Sequence, residues 1–265
     1  MNMRKNSLAD FESCLKSASE QLDGRIAAYI EIDGAAAVCN GGAVMPAASL
    51  IKLPIMLAAF RLNEQGRFPL GRRMNIPLSQ KAGGAGVLHI LSEETSLSVK
   101  DLLALMIIVS DNTAANMLID LIGFDEINRV IQEAGLKDTV LARKMMDWDA
   151  KNEGRDNFTT AHDMIICLKA IGEGSYLSPE SRAEAIKIML SQQFQDKLPS
   201  RMNLEKVQAA NKTGELPGVE HDCGIFFHGQ SRAYAAVLID RLLNKEDGKG
   251  VISRIGKELY QQITL

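Results

Sequence analysis

The chain has 265 residues and a formal net charge of −3 at pH 7, with 30 Lys and Arg residues against 33 Asp and Glu residues. This length fits one large domain or two small ones. The charge balance argues against nucleic acid or an anionic membrane as the partner, because both attract clustered positive charge. Hydrophobic residues make up 46% and charged residues 24%, as in folded globular proteins. We therefore expect a soluble, folded enzyme.

The predicted elements begin with an amphipathic helix over residues 8–22, where apolar side chains recur at helical spacing. A strand over 25–33 ends at Asp33-Gly34, which is a hairpin-turn signal, and 35–40 is the returning strand. The other end of the chain mirrors this pattern. Strands are predicted over 206–215, 223–228 and 233–242, and a final helix is predicted over 251–263.

The middle of the chain is predicted to be helical. Ser98 and Asp101 have the spacing of a capping box, and Ser178-Pro179 places a cap and a first-turn proline before another helix. Pro54 is expected to weaken the helix that contains it, by removing a hydrogen bond to the Leu50 carbonyl. The predicted helices cover 49–65, 102–109, 113–122, 125–134, 159–171 and 179–192.

Strands at both ends of a chain form one sheet only if the ends come together. The predicted fold is therefore α+β: an antiparallel sheet from N- and C-terminal strands flanked by helices, plus an all-α lobe. The expected boundaries are 1–48 and 196–265 for the sheet lobe and 49–195 for the helical lobe. A cleft is expected where the lobes meet.

The first 22 residues contain no apolar run of the kind found in secretory signals. The sequence as it stands predicts a cytoplasmic protein, or a periplasmic or secreted one if a leader has been removed. The longest apolar run is too short to span a bilayer, so no membrane partner is expected. The protein is expected to be a monomer.

The first candidate motif is Ser49-Leu-Ile-Lys52, in which the lysine amine lies one helical turn from the serine hydroxyl. A serine hydroxyl becomes an effective nucleophile when a neighbouring base removes its proton, and a desolvated lysine is such a base. Residues 13–16 have the same Ser-x-x-Lys spacing, but they fit the solvated face of a terminal helix. Ser49 instead opens the most apolar helix of the chain.

Two further motifs are short and individually weak. Ser110-Asp-Asn112 lies between two apolar helices, where Asp111 is also a natural helix cap. Lys212-Thr-Gly214 ends a predicted strand, where a lysine is able to anchor a carboxylate or simply be exposed.

Together, in this order, the three motifs are those of class A β-lactamases and penicillin-binding proteins, which the chain resembles over about residues 20–260. The resemblance implies that Ser49 is acylated, Lys52 exchanges its proton, and Ser110 relays a proton to the leaving nitrogen. It also implies that Asn112 holds the substrate's side-chain amide. Lys212 and Thr213 would hold its carboxylate, beside Gly214. The backbone N–H groups of Ser49 and Glu215 would form the oxyanion hole.

The loop over 139–158 departs from that family. Aligning Arg143 with the family's arginine places Met145 where the family has the glutamate that activates water for release of the acyl group. Arg143 and Asp156 are expected to pair across the loop. Asp147 is the nearest substitute base, and Asp149 the next. Glu215 is a second departure, because small or hydroxyl residues are usual there; its carboxylate either repels acidic β-lactams or faces solvent.

The predicted function is hydrolysis of β-lactam antibiotics through a serine acyl-enzyme, and hence antibiotic resistance, with slow turnover because the glutamate is missing. The alternatives are a D-Ala-D-Ala peptidase or esterase of the same fold, and a penicillin-binding sensor that does not turn over. No cofactor or metal is expected, since His221-Asp-Cys223 reads as ordinary strand residues and Gly83 to Gly86 lacks nucleotide-loop spacing.

Overall fold

The computed structural model describes residues 11–13, 15–18, 20 and 22–265. Its main feature is a five-stranded antiparallel sheet built from both ends of the chain, in the strand order β2-β1-β9-β8-β7. The strands are β1 (Arg25–Ile32), β2 (Ala35–Cys39), β7 (Gln208–Leu216), β8 (Val219–His228) and β9 (Ser231–Asp240). The predicted α+β fold is confirmed, and β7 forms one edge of the sheet.

The predicted hairpin at Asp33-Gly34 is present. The two residues have φ angles of +48° and +86°, so both are left-handed, as a tight two-residue hairpin turn requires. Ile32 pairs with Ala35 directly across the turn. On its other side β1 pairs with β9, from Arg25 opposite Asp240 to Ile32 opposite Ala233. This pairing brings the two ends of the chain together, as predicted.

Period-two alternation gives the sheet two apolar faces. On β9, Ala235 and Val237 face one buried cluster, whereas Ala236 and Leu238 face the other. The first cluster is closed by the C-terminal helix, and Phe11, Leu15 and Ala18 of the N-terminal helical residues contribute to it. Of the helix predicted over 8–22, the described residues from 11 to 20 are helical. Residues 8–10, 14, 19 and 21 lie outside the described part.

The second cluster joins the sheet to the helices in the middle of the chain. The helices, including the C-terminal one, are α1 (Lys52–Glu64), α2 (Val99–Ile108), α3 (Asn112–Ile122), α4 (Phe124–Glu133), α5 (Trp148–Asn152), α6 (Ala161–Gly172), α7 (Pro179–Leu190) and α8 (Lys245–Ile263). Short strands pair beside them, β3 (Met45–Pro46) with β6 (Phe158–Thr159) and β4 (Arg73–Asn75) with β5 (Ser96–Ser98). The predicted lobe boundaries stay a prediction. None of the described helices has the length and apolarity needed to cross a membrane.

The predicted helix starts are present. Ser98 and Asp101 form the capping box of α2, and the Ser178 hydroxyl caps α7 ahead of Pro179. The prediction that Pro54 weakens its helix by removing a hydrogen bond is wrong. Residues Ala48–Ile51 form a separate 3-10 turn, so Pro54 is the third residue of α1. The N–H groups of a helix's first turn have no intrahelical acceptor, and a proline there removes no helical hydrogen bond.

Two elements are longer than predicted because tertiary contacts stabilise residues that local patterns disfavour. β8 begins at Val219, and Glu220, His221 and Asp222 are buried polar residues with partners in neighbouring segments. α8 begins at Lys245 in spite of its glycines. A Cβ on Gly248 would lie 3.2 Å from Cβ of Glu220 on β8 and 2.5 Å from a terminal methyl group of Leu242, so the glycine lets this helix approach β8 closely.

Candidate active site

The turn that carries Ser49 leads directly into α1. Lys52, the first residue of α1, places its Nζ 3.2 Å from Ser49 Oγ. Ala48, just before the serine, has a φ of +46°. Such left-handed backbone is uncommon for a residue other than glycine and concentrates at functional sites. The contact predicted from the Ser-x-x-Lys spacing is therefore present.

Lys52 is completely buried. Its ammonium donates to the Ser110 backbone carbonyl at 2.7 Å and to Asn112 Oδ1 at 2.8 Å. Burial lowers the pKa of Lys52 well below its usual value, and the positive charge of Lys212 lowers it further against the opposing effect of Asp111. A lysine with a strongly lowered pKa is able to accept a proton from a neighbouring hydroxyl.

Ser110 lies between the two lysines of the site. Its Oγ is 3.1 Å from Lys52 Nζ and 3.0 Å from Lys212 Nζ. Ser110 also has a left-handed backbone, with φ +54°, in the break between α2 and α3. One hydroxyl in contact with two amines is able to pass a proton between them and a reacting group.

Asp111 is buried and has a structural role. Its Oδ1 accepts from the Ala114 N–H and caps α3, as the sequence suggested. Its Oδ2 accepts from the backbone N–H groups of Val87 and Leu88, at 2.6 and 2.9 Å. This carboxylate therefore ties the segment after Gly86 to the segment that carries Ser110.

Replacing Gly86 with Ala is expected to lower the free energy of unfolding by about 2 kcal/mol or more. Gly86 has φ +106°, and a Cβ there would lie 2.3 Å from the Asp111 carboxyl carbon. Chemical denaturation measures the change. Gly83→Ala is the matched control, because a Cβ at Gly83 meets nothing within 4 Å. Equal stability of the two variants would contradict the packing argument.

The third motif lies on the edge strand β7. Lys212 Nζ donates to Ser110 Oγ and, at 2.7 Å, to the Thr213 carbonyl, and Thr213 itself is nearly buried. Burial and the nearby charge of Lys197 lower the pKa of Lys212 to about 7. Gly214 packs tightly, since a Cβ there would lie 3.3 Å from side-chain atoms of Ala48 and Leu50. Gly214 thus lets β7 approach the turn that carries Ser49.

A cavity opens above these groups. Glu215 lines the cavity, and its half-exposed side chain lies 3.1 Å from the buried Lys197 Nζ. Its carboxylate is therefore ion-paired and partly exposed to solvent, and the predicted repulsion of acidic β-lactams stays a prediction. Among the described lining residues Glu215 carries the only carboxylate. The lining residues are Ala48, Ser49, Gly84, Ala85, Asn112, Arg143, Met145, Met146, Trp148, Asn157, Glu215 and Leu216.

The loop over 139–158 forms the opposite wall of this cavity. The predicted pairing of Arg143 with Asp156 is present, at 2.7 Å from Nε to Oδ1. The Asn116 side chain donates to the Met145 carbonyl and accepts from its N–H, at 3.1 and 2.7 Å. The Asn157 backbone carbonyl accepts from Ala47, two residues before Ser49. These bonds hold Met145, which is 8% exposed, in the cavity wall.

The model of the β-lactamase enzyme family matches residues 11–263. The chain belongs to this family. The structure is similar to that of a β-lactamase from Sphaerobacter thermophilus, with a TM-score of 0.88 and 31% identity over 96% of this chain and 97% of that one. It is also similar to PBP-A, in a mutant solved as an acyl-enzyme complex with penicillin G, with a TM-score of 0.87 and 30% identity over 98% and 97% of the two chains.

Among curated proteins, β-lactamase BRO-1 of Moraxella catarrhalis is 24% identical over 233 residues, which cover 83% of this chain and 74% of that protein. Membership of the β-lactamase enzyme family agrees with the resemblance drawn from the three motifs. The structure also brings those motifs together: Ser110 contacts both Lys52 and Lys212, and Ser49 and Asn112 each contact Lys52.

Asp147 was predicted to be the catalytic base, but its side chain lies elsewhere. Its Oδ1 accepts from the Ala150 N–H at 3.0 Å and caps α5, and Asp147 is not among the residues that line the cavity. Asp149 is exposed. The residues of this loop that line the cavity are Arg143, Met145, Met146, Trp148 and Asn157. The alignment of Met145 with the family's glutamate stays a prediction. The choice of Asp147 as the base has no geometric support here and stays a prediction.

Several residues around the site carried no recognisable sequence signal. Lys197 is a single lysine in an irregular segment, and its complete burial follows only from tertiary packing. Trp148 and Asn157 also line the cavity without belonging to a motif. Asn116 differs from these residues, because it lies four residues after the Ser110-Asp-Asn112 motif and on the helix that this motif begins.

His221 and Asp222 support β8 and do not form a metal site. His221 Nδ1 accepts from the Ile239 N–H, and its Nε2 donates to the Pro46 carbonyl. Burial lowers the pKa of His221 to about 4 and raises that of Asp222 to about 7. Within the described residues no cluster of His, Cys, Asp and Glu side chains is arranged to hold a metal ion.

Proposed function

We propose that the protein is acylated at Ser49 by β-lactams and releases the acyl group slowly. Lys52 removes the proton from Ser49 Oγ, which attacks the lactam carbonyl. The C–N bond breaks, and Ser110 delivers a proton to the leaving nitrogen. Lys212 and Thr213 hold the substrate's carboxylate, and Asn112 holds its side-chain amide. The backbone N–H groups of Ser49 and Glu215 stabilise the oxyanion.

The observation that carries the proposal is the chain of contacts from Ser49 through Lys52 and Ser110 to Lys212, with distances of 3.0 to 3.2 Å. It supplies a nucleophile, a base and a proton relay in one buried network. The acyl-enzyme of a PBP-A mutant with penicillin G supports a β-lactam as the acyl donor.

Slow release is proposed because hydrolysis of the ester needs a base that positions and deprotonates water. Met145 occupies the cavity wall where the resemblance places the family's glutamate, and a thioether does not accept a proton from water. Glu215, the carboxylate among the described lining residues, is paired with Lys197. The acyl-enzyme is therefore expected to form much faster than it is hydrolysed. Slow turnover is also what the sequence predicts, whereas fast hydrolysis of the antibiotic would require another base.

A chromogenic cephalosporin tests the proposal. Slow release predicts one equivalent of colour in a burst, followed by slow turnover, and a mass increase that persists on the protein. Many rapid turnovers would favour an efficient β-lactam hydrolase. A permanent adduct with no turnover would favour a penicillin sensor. The absence of both burst and adduct would contradict the proposal and favour a peptidase or an esterase.

The affinity for a β-lactam carboxylate is expected to fall as pH rises above about 7. Lys212, whose pKa is about 7, is charged below that pH and neutral above it. Between pH 6 and pH 8 its charged fraction falls about tenfold, and the dissociation constant of benzylpenicillin should rise by a similar factor. The measurement uses Ser49→Ala, which removes the covalent step. Its signal is the fluorescence of Trp148, the single tryptophan of the chain, which lines the cavity.

Two variants check the assignment of this pH dependence. Lys212→Met is expected to bind weakly with no rise in the dissociation constant between pH 6 and pH 8. Asp222 also has a pKa near 7, so Asp222→Asn is expected to retain the loss of affinity at high pH. A dissociation constant that stays unchanged across this range in the Ser49→Ala protein would remove Lys212 from carboxylate binding.

A further inference from the structure

The peptide group between Gly214 and Glu215 has its two ends in different surroundings. Its carbonyl oxygen, on Gly214, accepts from Lys197 Nζ at 3.3 Å, and the same ammonium donates to the His221 carbonyl at 3.2 Å. Its N–H belongs to Glu215, a residue that lines the cavity together with Ser49. Lys197 lies just before the 3-10 turn Leu198–Arg201 and is completely buried.

The sheet geometry decides where the N–H of this peptide group points. Gly214 and His221 are opposite each other in the β7–β8 pairing, and Lys197 contacts both of their carbonyls. In a trans peptide the C=O and N–H bonds point in opposite directions. Since β7 is the edge strand, an N–H directed away from β8 and Lys197 meets no further strand of this sheet. It points toward the cavity.

We propose that Lys197 is a positioning residue for the oxyanion hole, which orients and polarises the Gly214–Glu215 peptide group from behind. This inference rests on the proposed function, in which the Glu215 N–H is one of the two oxyanion donors. A fixed positive charge on the carbonyl side withdraws electron density from the peptide group and makes its N–H a stronger donor. Preorganised donors of this kind act at full strength because they need not reorient during the reaction.

Lys197 also forms ion pairs, and through one of them it positions the Glu215 side chain. Lys197 Nζ lies 2.6 Å from Glu220 Oε2, which is completely buried, and 3.1 Å from Glu215 Oε1, which is half-exposed. A free carboxylate beside the oxyanion would oppose the developing negative charge. By pairing with Glu215, Lys197 holds that carboxylate on its own side of the strand, and Glu220 balances the lysine charge.

Removing Lys197 alone would leave Glu220 as an unpaired buried charge, which is strongly destabilising. The test therefore replaces the buried pair together, as Lys197→Met/Glu220→Met, because apolar side chains of similar size often replace buried ion pairs without loss of stability. Lys197→Gln/Glu220→Gln is a second variant that keeps polar atoms but no charge, and it decides the outcome if the first variant does not fold. Glu215→Gln is the control, since it removes the exposed partner and leaves the contact of Lys197 with the carbonyl.

The measurement is the infrared carbonyl stretch of the acyl-enzyme formed with benzylpenicillin carrying a ¹³C label in the lactam carbonyl. A weaker oxyanion hole polarises the ester carbonyl less. Both double variants are expected to shift this band to higher wavenumber, and the Met pair to slow acylation about tenfold, less than the loss of a complete donor. Glu215→Gln is expected to leave the band where it lies in the wild-type protein.

A purely structural role would lower the melting temperature of the double variants and leave the carbonyl band in place, and that result would overturn the inference. An equal band shift in Glu215→Gln would also overturn it, because the effect would then come from the exposed carboxylate. Failure of the wild-type protein to form any adduct would instead refute the proposed function, and the inference would fall with it. The two failures are therefore distinguishable.

Discussion

Replacing Ser49 with Ala is expected to abolish covalent labelling by a β-lactam, with acylation falling by about six orders of magnitude. In the proposed mechanism the Ser49 hydroxyl forms the ester with the acyl group, and Lys52 takes its proton. Intact-mass measurement after incubation with benzylpenicillin checks this result. The variant is expected to remain folded, because Ser49 is partly exposed and its Oγ accepts only from Lys52 among the described contacts.

Ser13→Ala is the matched control for this experiment. Ser13 and Lys16 have the same Ser-x-x-Lys spacing, but both are exposed on the N-terminal helical segment. The control is expected to be labelled at the wild-type rate. An adduct that survives in Ser49→Ala, or that disappears in Ser13→Ala, would contradict the assignment of the nucleophile.

Replacing Met145 with Glu is expected to accelerate release of the acyl group by about 100-fold to 10,000-fold, the range typical of general-base catalysis. Met145 lies in the cavity wall, and Asn116 holds both its N–H and its carbonyl. A glutamate there would extend into the cavity from a fixed backbone. Single-turnover kinetics, with the loss of the penicilloyl mass followed over time, separates release from acylation, which is expected to change little.

Met145→Gln is the control for this prediction, because it has the shape of the glutamate without its basicity, and it is expected to release the acyl group as slowly as the wild-type protein. Asp147→Asn is also expected to leave release unchanged, since asparagine caps a helix as well as aspartate does. Faster release in Met145→Gln would show that packing, not a base, limits hydrolysis. Slower release in Asp147→Asn would restore Asp147 as the base.

Local patterns were sufficient for most of the fold. The Asp33-Gly34 turn, the Ser98–Asp101 capping box and the Ser178-Pro179 helix start follow from neighbouring residues, and the structure has all three. The errors arose where distant contacts outweigh local preference. The polar start of β8 is stable because Lys197 pairs with Glu220 and Asp222 accepts from Leu198. Pro54 does not weaken its helix, because the 3-10 turn at Ser49 ends before α1 begins and Pro54 therefore lies in the first turn of α1.

The residue types of the site can be read from the sequence, because each of the three motifs lies within four consecutive residues of the chain. Through the resemblance, the sequence also predicts that Met145 stands where the family has its glutamate. Which side chains reach the cavity depends on how distant segments pack in the folded protein. Asp147 caps α5, the Asn116 side chain accepts from the Met145 N–H, and Lys197 Nζ donates to the Gly214 carbonyl. The physical reason is that these positions depend on packing between segments far apart in the chain, which no local spacing encodes.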